Sequence, residues 1–208
     1  IDEKVSATKY IFGVHPAHKL TPVLPFRRWG LSMRVFAIFL SLFFVIPACA
    51  GEFNKKLKIG DAAPAWKNLP GVDGKKHSLA DLKERDYVVV VFTCNSCACS
   101  EEYEDRIIEF AKKYADKISL IAINVNTIPE DKLDAMKKKA AKKKFNFPYL
   151  YDESQQIAKD YGAVYTPEFF VLNKERKVVY MGAMDDKTNV SEVKDKYLES
   201  AVDAVLAG

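Results

Sequence analysis

Histidine is nearly missing from this chain: only His15, His18 and His77 occur in 208 residues, and none follows His77. A zinc centre usually takes four nitrogen or sulfur ligands, so the chain is poorly supplied for one. An excess of charge is lacking as well. Six of the 32 Lys and Arg but only two of the 28 Asp and Glu lie in residues 1–50, which leaves the remainder neutral overall. A neutral body gives no global reason to expect nucleic acid as a partner. No repeat, low-complexity linker or second compositional regime follows residue 50, so that part reads as one domain. Nor does any apolar run reach the roughly 20 residues of a comfortable transmembrane helix.

The longest apolar run, residues 35–46, carries one hydroxyl, Ser41. Arg34 precedes it, Pro47 stops it, and Ala48-Cys49-Ala50 supplies the small-x-small pattern of a signal-peptidase site. Basic flank, short apolar core and small-residue exit together read as a secretory signal. The expected organisation is an N-terminal export segment over 1–50, with the signal peptide at about 33–50, and a single domain over 51–208. Met33 reads as the natural start, with residues 1–32 as untranslated upstream sequence. Ile46-Pro47-Ala48-Cys49 also approximates a lipobox in which Cys49 would take a lipid anchor; Pro47 is unusual there, so plain cleavage after Ala50 is favoured. In either case the protein is expected outside the cytoplasm, periplasmic or otherwise extracytoplasmic, where disulfides persist. Membrane contact is expected only through the signal peptide or that anchor.

Against this background the cysteines stand out. Cys94-Asn95-Ser96-Cys97 follows the apolar run Tyr87-Val88-Val89-Val90-Val91-Phe92 and precedes a helix-patterned stretch. At a strand-to-helix junction the unpaired N–H groups of the helix favour thiolate over thiol. The first sulfur is expected over the helix N-terminus, with the second about 60° around the axis and close enough to close a disulfide. A redox dithiol is the favoured reading; a metal site and inert buried cysteines remain the alternatives. Cys99 lies about 200° around the helix from Cys97 and is expected to be a small buried filler rather than a redox accessory or ligand.

The rest of the pattern alternates strand and helix. Val88 to Phe92 suits a strand buried on both faces, and 118–125 a second one. Tyr103, Ile107, Phe110, Ala111 and Tyr114 recur at helical spacing, as do Leu133, Met136 and Ala140. The Lys137-Lys138-Lys139 and Lys142-Lys143-Lys144 run on that second helix reads as a solvated face. Gly71-Val72-Asp73-Gly74-Lys75 is a hairpin turn signature. Phe169 to Leu172 and Val178 to Met181 flank the turn Asn173-Lys174-Glu175-Arg176, and Val193, Tyr197, Ala201, Val202 and Val205 give a closing helix. The expected class is α/β, a central mixed β-sheet flanked by helices, with the cysteines at the carboxyl end of a central strand.

This order resembles the thioredoxin fold, in which Cys-x-x-Cys opens the first long helix and a cis-proline loop precedes a terminal hairpin. Tyr165-Thr166-Pro167-Glu168-Phe169-Phe170 is similar to that loop. Ile59-Gly60-Asp61-Ala62-Ala63-Pro64-Ala65-Trp66 and Ser78-Leu79-Ala80-Asp81-Leu82 resemble the front end of peroxiredoxin-like (AhpC/TSA-related) and TlpA-like redoxins, which implies an N-terminal redoxin-type hairpin extension. Phe92-Thr93-Cys94-Asn95, Tyr103-Glu104-Asp105-Arg106, 147–153 and Met181-Gly182-Ala183-Met184-Asp185-Asp186 carry the resemblance further, over about 57–208. It implies thiol–disulfide exchange with no cofactor and no metal. The partners implied are disulfide- or dithiol-bearing proteins and an electron-donating redox partner. Cys94 is the expected exposed attacker and Cys97 the deeper resolving sulfur with the higher pKa. Thr166 and a cis Pro167 would present backbone to the substrate.

Three departures qualify this. The group usually has His-Cys-Pro after its first Cys-Asn, whereas Ser96-Cys97-Ala98 stands here, so a less depressed thiol is expected. Val88 occupies the position six residues before Cys94 where thioredoxins keep a buried aspartate. Glu101 is a candidate replacement proton carrier, although an exposed helix glutamate is the favoured reading. Two rival functions fit the sequence less well. A peroxiredoxin-type antioxidant peroxidase needs Pro-x-x-x-Thr/Ser-x-x-Cys, and Tyr87, Val90 and Phe92 stand where the proline should be. A Sco-like copper-binding role suits soft thiolates from Cys94, Cys97 and Cys99, but lacks the late histidine of that family.

Overall fold

The computed structural model describes residues 54–208. The export segment, Met33, Cys49 and the cleavage site lie outside the described residues. A short hairpin comes first, β1 (Leu69–Pro70) and β2 (Lys76–His77), closed by the Asp73-Gly74 turn with Gly74 at φ +79°. There follow β3 (Tyr87–Phe92), α1 (Ala98–Lys113), β4 (Ile118–Asn124), α2 (Leu133–Lys143), β5 (Tyr149–Tyr151) and α3 (Gln156–Tyr161). The chain ends with β6 (Glu168–Leu172), β7 (Val178–Gly182) and α4 (Tyr197–Ala207).

Five strands form one mixed sheet in the order β5-β4-β3-β6-β7. The first three run parallel, and β6 and β7 pair antiparallel. The unbroken apolar run of β3 is explained by its central place. Val89 and Val91 pack with Tyr103, Ile107 and Phe110 of α1, Met136 of α2, and Leu198 and Val202 of α4. Val88, Val90 and Phe92 face the opposite layer of Trp66, Leu79, Ala158 and Tyr161. Each such side chain contributes about 1.5–3 kcal/mol by leaving water, so a strand covered on both sides has no position left for a polar residue.

The segment before β3 also guards the sheet edges. Ala62 bridges to Lys177 beside β7, and Gly71 bridges to Leu150 of β5. Both outer strands therefore find partners for edge groups that would otherwise invite pairing with another chain. Two of the stretches that carried the resemblance meet: Tyr103 hydroxyl and Arg106 both reach Asp185, the guanidinium at 2.5 Å.

Some expectations shift. The closing helix begins at Tyr197, leaving Val193 before it, and the residues it buries are Leu198 and Val202, with Tyr197 turned outward. The second strand ends at Asn124 rather than Val125. The lysine run is only partly a solvated face: Lys139 and Lys143 reach back to Glu104 of α1 at 2.6 and 3.1 Å. Helical spacing identifies a polar face, but not a neighbouring acidic helix beside it.

Candidate active site

The loop between β3 and α1 carries the Cys-x-x-Cys sequence. Helix α1 starts at Ala98, so Cys97 is its N-cap residue, in extended backbone (φ −87°, ψ 119°). Cys94 lies one turn earlier, outside the helix and 3% exposed. Cys94, Cys97 and Cys99 are all free thiols. Cys94 Sγ contacts Thr166 Oγ1 at 3.5 Å and Ser100 Oγ at 3.7 Å.

The exposures expected of the two sulfurs are reversed by this geometry. Cys94, expected to be exposed, is buried; Cys97, expected to be the deeper one, is partly accessible. Partial burial alone would raise the Cys97 thiol. The N–H groups of Ser100 and Cys99 and the hydroxyls of Thr166 and Ser100 outweigh it and hold the thiol below its usual range. Cys97 Sγ makes no strict capping hydrogen bond, so these N–H groups of the first turn act on it from looser geometry. The cause of the reversal is a shift of one turn in where the helix begins. Cys99 is exposed, not a buried filler; the fully buried small residue of the first turn is Ser100.

The Thr166–Pro167 bond is cis. The Thr166 hydroxyl reaches Cys94 and, through the lowering just described, acts on Cys97. Before it on the surface stand Val164, 68% exposed, and Tyr165, 48% exposed. Behind it Glu168 is buried, accepts the Val164 N–H at 2.9 Å, and is raised by burial above the ordinary glutamate range.

Glu101 is placed elsewhere. It is exposed, its carboxylate accepts from Lys139 at 2.9 Å, and that ammonium holds it below the usual range. Such a group is a poor proton carrier for thiols.

The acid that sits against the Cys-x-x-Cys loop is Asp131, which sequence reasoning missed. It is fully buried, in the turn before α2. Its Oδ1 accepts the Asn95 N–H at 2.5 Å and Asn124 Nδ2 at 3.0 Å, and its Oδ2 accepts the Ser96 hydroxyl and Asn126 Nδ2. Burial raises its carboxyl, but Ser96, Asn124, Asn95 and Asn126 together hold it below the normal range. The remaining groups of Asn95 are engaged too. Its Nδ2 donates to Glu130 O at 2.8 Å, its Oδ1 accepts Tyr149 OH at 3.0 Å, and its carbonyl accepts Lys139 Nζ at 2.8 Å. One signal pointed here: loops that follow adjacent parallel strands meet at their carboxyl ends, and 125–131 follows the strand beside β3.

No cluster of three metal-ligating side chains forms among the described residues. A concavity of about 490 Å³ lies between α1 and the segment after β7, but no cysteine lines it, and its Arg106, Lys113 and Lys196 are paired with Asp185 and Glu199. Thiols of unequal exposure meet instead around the Thr166 hydroxyl.

Comparison with known proteins agrees. The Redoxin family matches residues 58–197. The thiol-disulfide oxidoreductase ResA of Bacillus cereus is 30% identical over 133 residues, 62% of this chain and 73% of that protein. An uncharacterized conserved protein of Geobacillus kaustophilus is 35% identical, with 73% of this chain and 83% of that one covered at a TM-score of 0.68. A Chlorobium tepidum protein assigned as the thiol:disulfide interchange protein DsbE is 26% identical, with 72% and 99% covered at a TM-score of 0.59. With its mixed five-stranded sheet and its thiols at the carboxyl end of β3, the chain belongs to the redoxin family and is an oxidoreductase on a thioredoxin-like fold.

Proposed function

We propose that this protein is an exported thiol–disulfide oxidoreductase working through Cys94 and Cys97, with Cys97 as the attacking sulfur. The observation that carries the reading is the placement of Cys97, accessible at the N-cap of α1 with its thiol lowered, beside a second, buried sulfur. The Cys97 thiolate attacks one sulfur of a substrate disulfide; a mixed disulfide forms and the other substrate sulfur leaves as thiolate. Cys94 then gives up its proton and attacks Cys97 Sγ, which releases the substrate dithiol and leaves a Cys94–Cys97 disulfide. Two electrons have passed to the substrate, and an electron-donating partner must return them. The same steps in reverse oxidise a substrate dithiol.

The substrates are proteins bearing disulfides or dithiols, and Thr166 and Pro167 form the rim they approach. Export is supported by Arg34, the apolar run 35–46 and Ala48-Cys49-Ala50. Trapping tests the assignment of sulfurs. Cys94→Ser should accumulate a mixed disulfide with a disulfide-bearing protein, and Cys97→Ser should form none. The opposite pattern would restore Cys94 as attacker, and rapid peroxide consumption by the reduced protein in stopped flow would replace the reading with a peroxidase.

A further inference from the structure

The segment between the sulfurs is gripped more tightly than the sulfurs themselves. Asn95 and Ser96 separate Cys94 from Cys97, and Asp131 takes the N–H of the first and the hydroxyl of the second. Those bonds keep 95 and 96 out of the helix, which is why α1 opens at Ala98 and Cys97 caps it. They also fix where the two sulfurs converge, because Cys94 contacts the Thr166 hydroxyl that also acts on Cys97. Lys139, on the Asn95 carbonyl at 2.8 Å, closes the grip from the α2 side.

We propose that Asp131 is a positioning residue for the dithiol: by holding Asn95 and Ser96 it keeps Cys94 and Cys97 arranged for bonding to each other. This rests on the proposed dithiol chemistry and adds what sets its equilibrium. The reaction is the exchange of the protein dithiol with oxidised glutathione, which forms the Cys94–Cys97 bond and releases two glutathione thiols. A loop held in place by Asp131 loses little further freedom when that bond closes; a released loop loses more, and the disulfide is correspondingly weaker. A purely structural aspartate would stabilise dithiol and disulfide forms alike and leave the exchange constant unchanged.

The experiment equilibrates the full chain with glutathione buffers, traps with acid and alkylation, and reads the Cys94–Cys97 disulfide by mass spectrometry. Asp131→Asn keeps the shape and one acceptor, and Ser96→Ala removes a single bond to the carboxylate. The expected fall in the exchange constant is about tenfold for Asp131→Asn, equivalent to about 30 mV toward a more oxidising couple. For Ser96→Ala it is about threefold. Resolution of a glutathione mixed disulfide on Cys97 should slow in the same order. Constants within twofold of wild type in the folded variants would overturn the proposal, and Ser96→Ala keeps it open to refutation if Asp131→Asn does not fold. No protein substrate enters this measurement. A wild-type chain that equilibrates with glutathione yet exchanges with no protein disulfide would sink the functional reading alone; unchanged constants in an active protein would sink only this one.

Discussion

The dithiol stands between two unlike walls. On the α2 side the wall is largely buried and polar: Asp131, the Glu130 carbonyl, Tyr149 and Lys139 leave no polar group of Asn95 without a partner. On the Thr166 side it is open, with Val164 and Tyr165 presented to water. Buried polar groups are costly unless each finds a partner, and once satisfied they admit few alternative arrangements. Exposed apolar side chains do nothing for the fold, and here they flank the one lowered, accessible sulfur. In the proposed mechanism one wall fixes geometry and the other receives a partner. Substitutions on the two sides should therefore fail in different ways.

The largest effect falls at the point where the walls meet. Cys97→Ser removes the accessible thiol of the pair, which is held below its usual range, and exchange with a protein disulfide should drop at least about a thousandfold, to background. Alkylation of wild-type Cys97 should rise with pH through a midpoint below that of an ordinary cysteine, since only the thiolate reacts. A midpoint at or above the usual range would remove the distinction between the two sulfurs.

Next comes the closed wall. Asp131→Ala takes the carboxylate acceptor from Asn95 N–H, Ser96 and Asn126, and one of three acceptors from Asn124, and should destabilise the protein by about 3 kcal/mol in urea unfolding. The pH dependence has a definite sign. The folded carboxyl is lowered, so the unfolded chain binds more protons on acidification. The stabilisation is complete above the unfolded value of about 3.9 and is lost as pH falls through the folded one. Asp131→Asn should flatten that acid limb. Equal acid sensitivity in wild type and variant would show that the four donors do not act on an anion.

Much of this arrangement was legible in the sequence, for identifiable reasons. The run Val88 to Phe92, the turn at Asp73-Gly74 and the Phe169–Met181 hairpin are local patterns that burial and turn chemistry dictate directly. Which sulfur is capped was not legible. Tyr103, Ile107 and Phe110 set the phase of α1, but its first residue is decided by Asp131, a residue from another loop that meets the cysteines only because β3 and β4 lie side by side. Ser96 looked like a weak substitute for an activating histidine, whereas its hydroxyl is spent on Asp131. Cys99 was misjudged because the phase set by Tyr103, Ile107 and Phe110 turns Ser100, not Cys99, inward in the first turn.

A smaller effect tests the rim. Thr166→Val preserves shape and removes the hydroxyl that both sulfurs share, so the Cys97 thiol should move up and its alkylation rate at neutral pH should fall about fivefold, as expected for one hydrogen bond of about 1 kcal/mol. Unfolding should change far less than for Asp131→Ala. A rate unchanged at every pH would assign the lowering to the helix end alone.

The smallest effect belongs to the open wall and is the most selective. Val164→Ser and Tyr165→Ser alter side chains that the fold does not bury, so stability should stay within about 0.5 kcal/mol of wild type. The glutathione exchange constant should also hold, because neither side chain reaches the Asn95–Ser96 loop through any hydrogen bond of the clamp. What should change is KM for a folded protein disulfide, rising about threefold to tenfold, with little change for a small disulfide that needs no apolar contact. Equal losses on protein and small disulfides would mean that these residues shape the sulfurs rather than receive a partner, and the two walls would then differ in exposure but not in role.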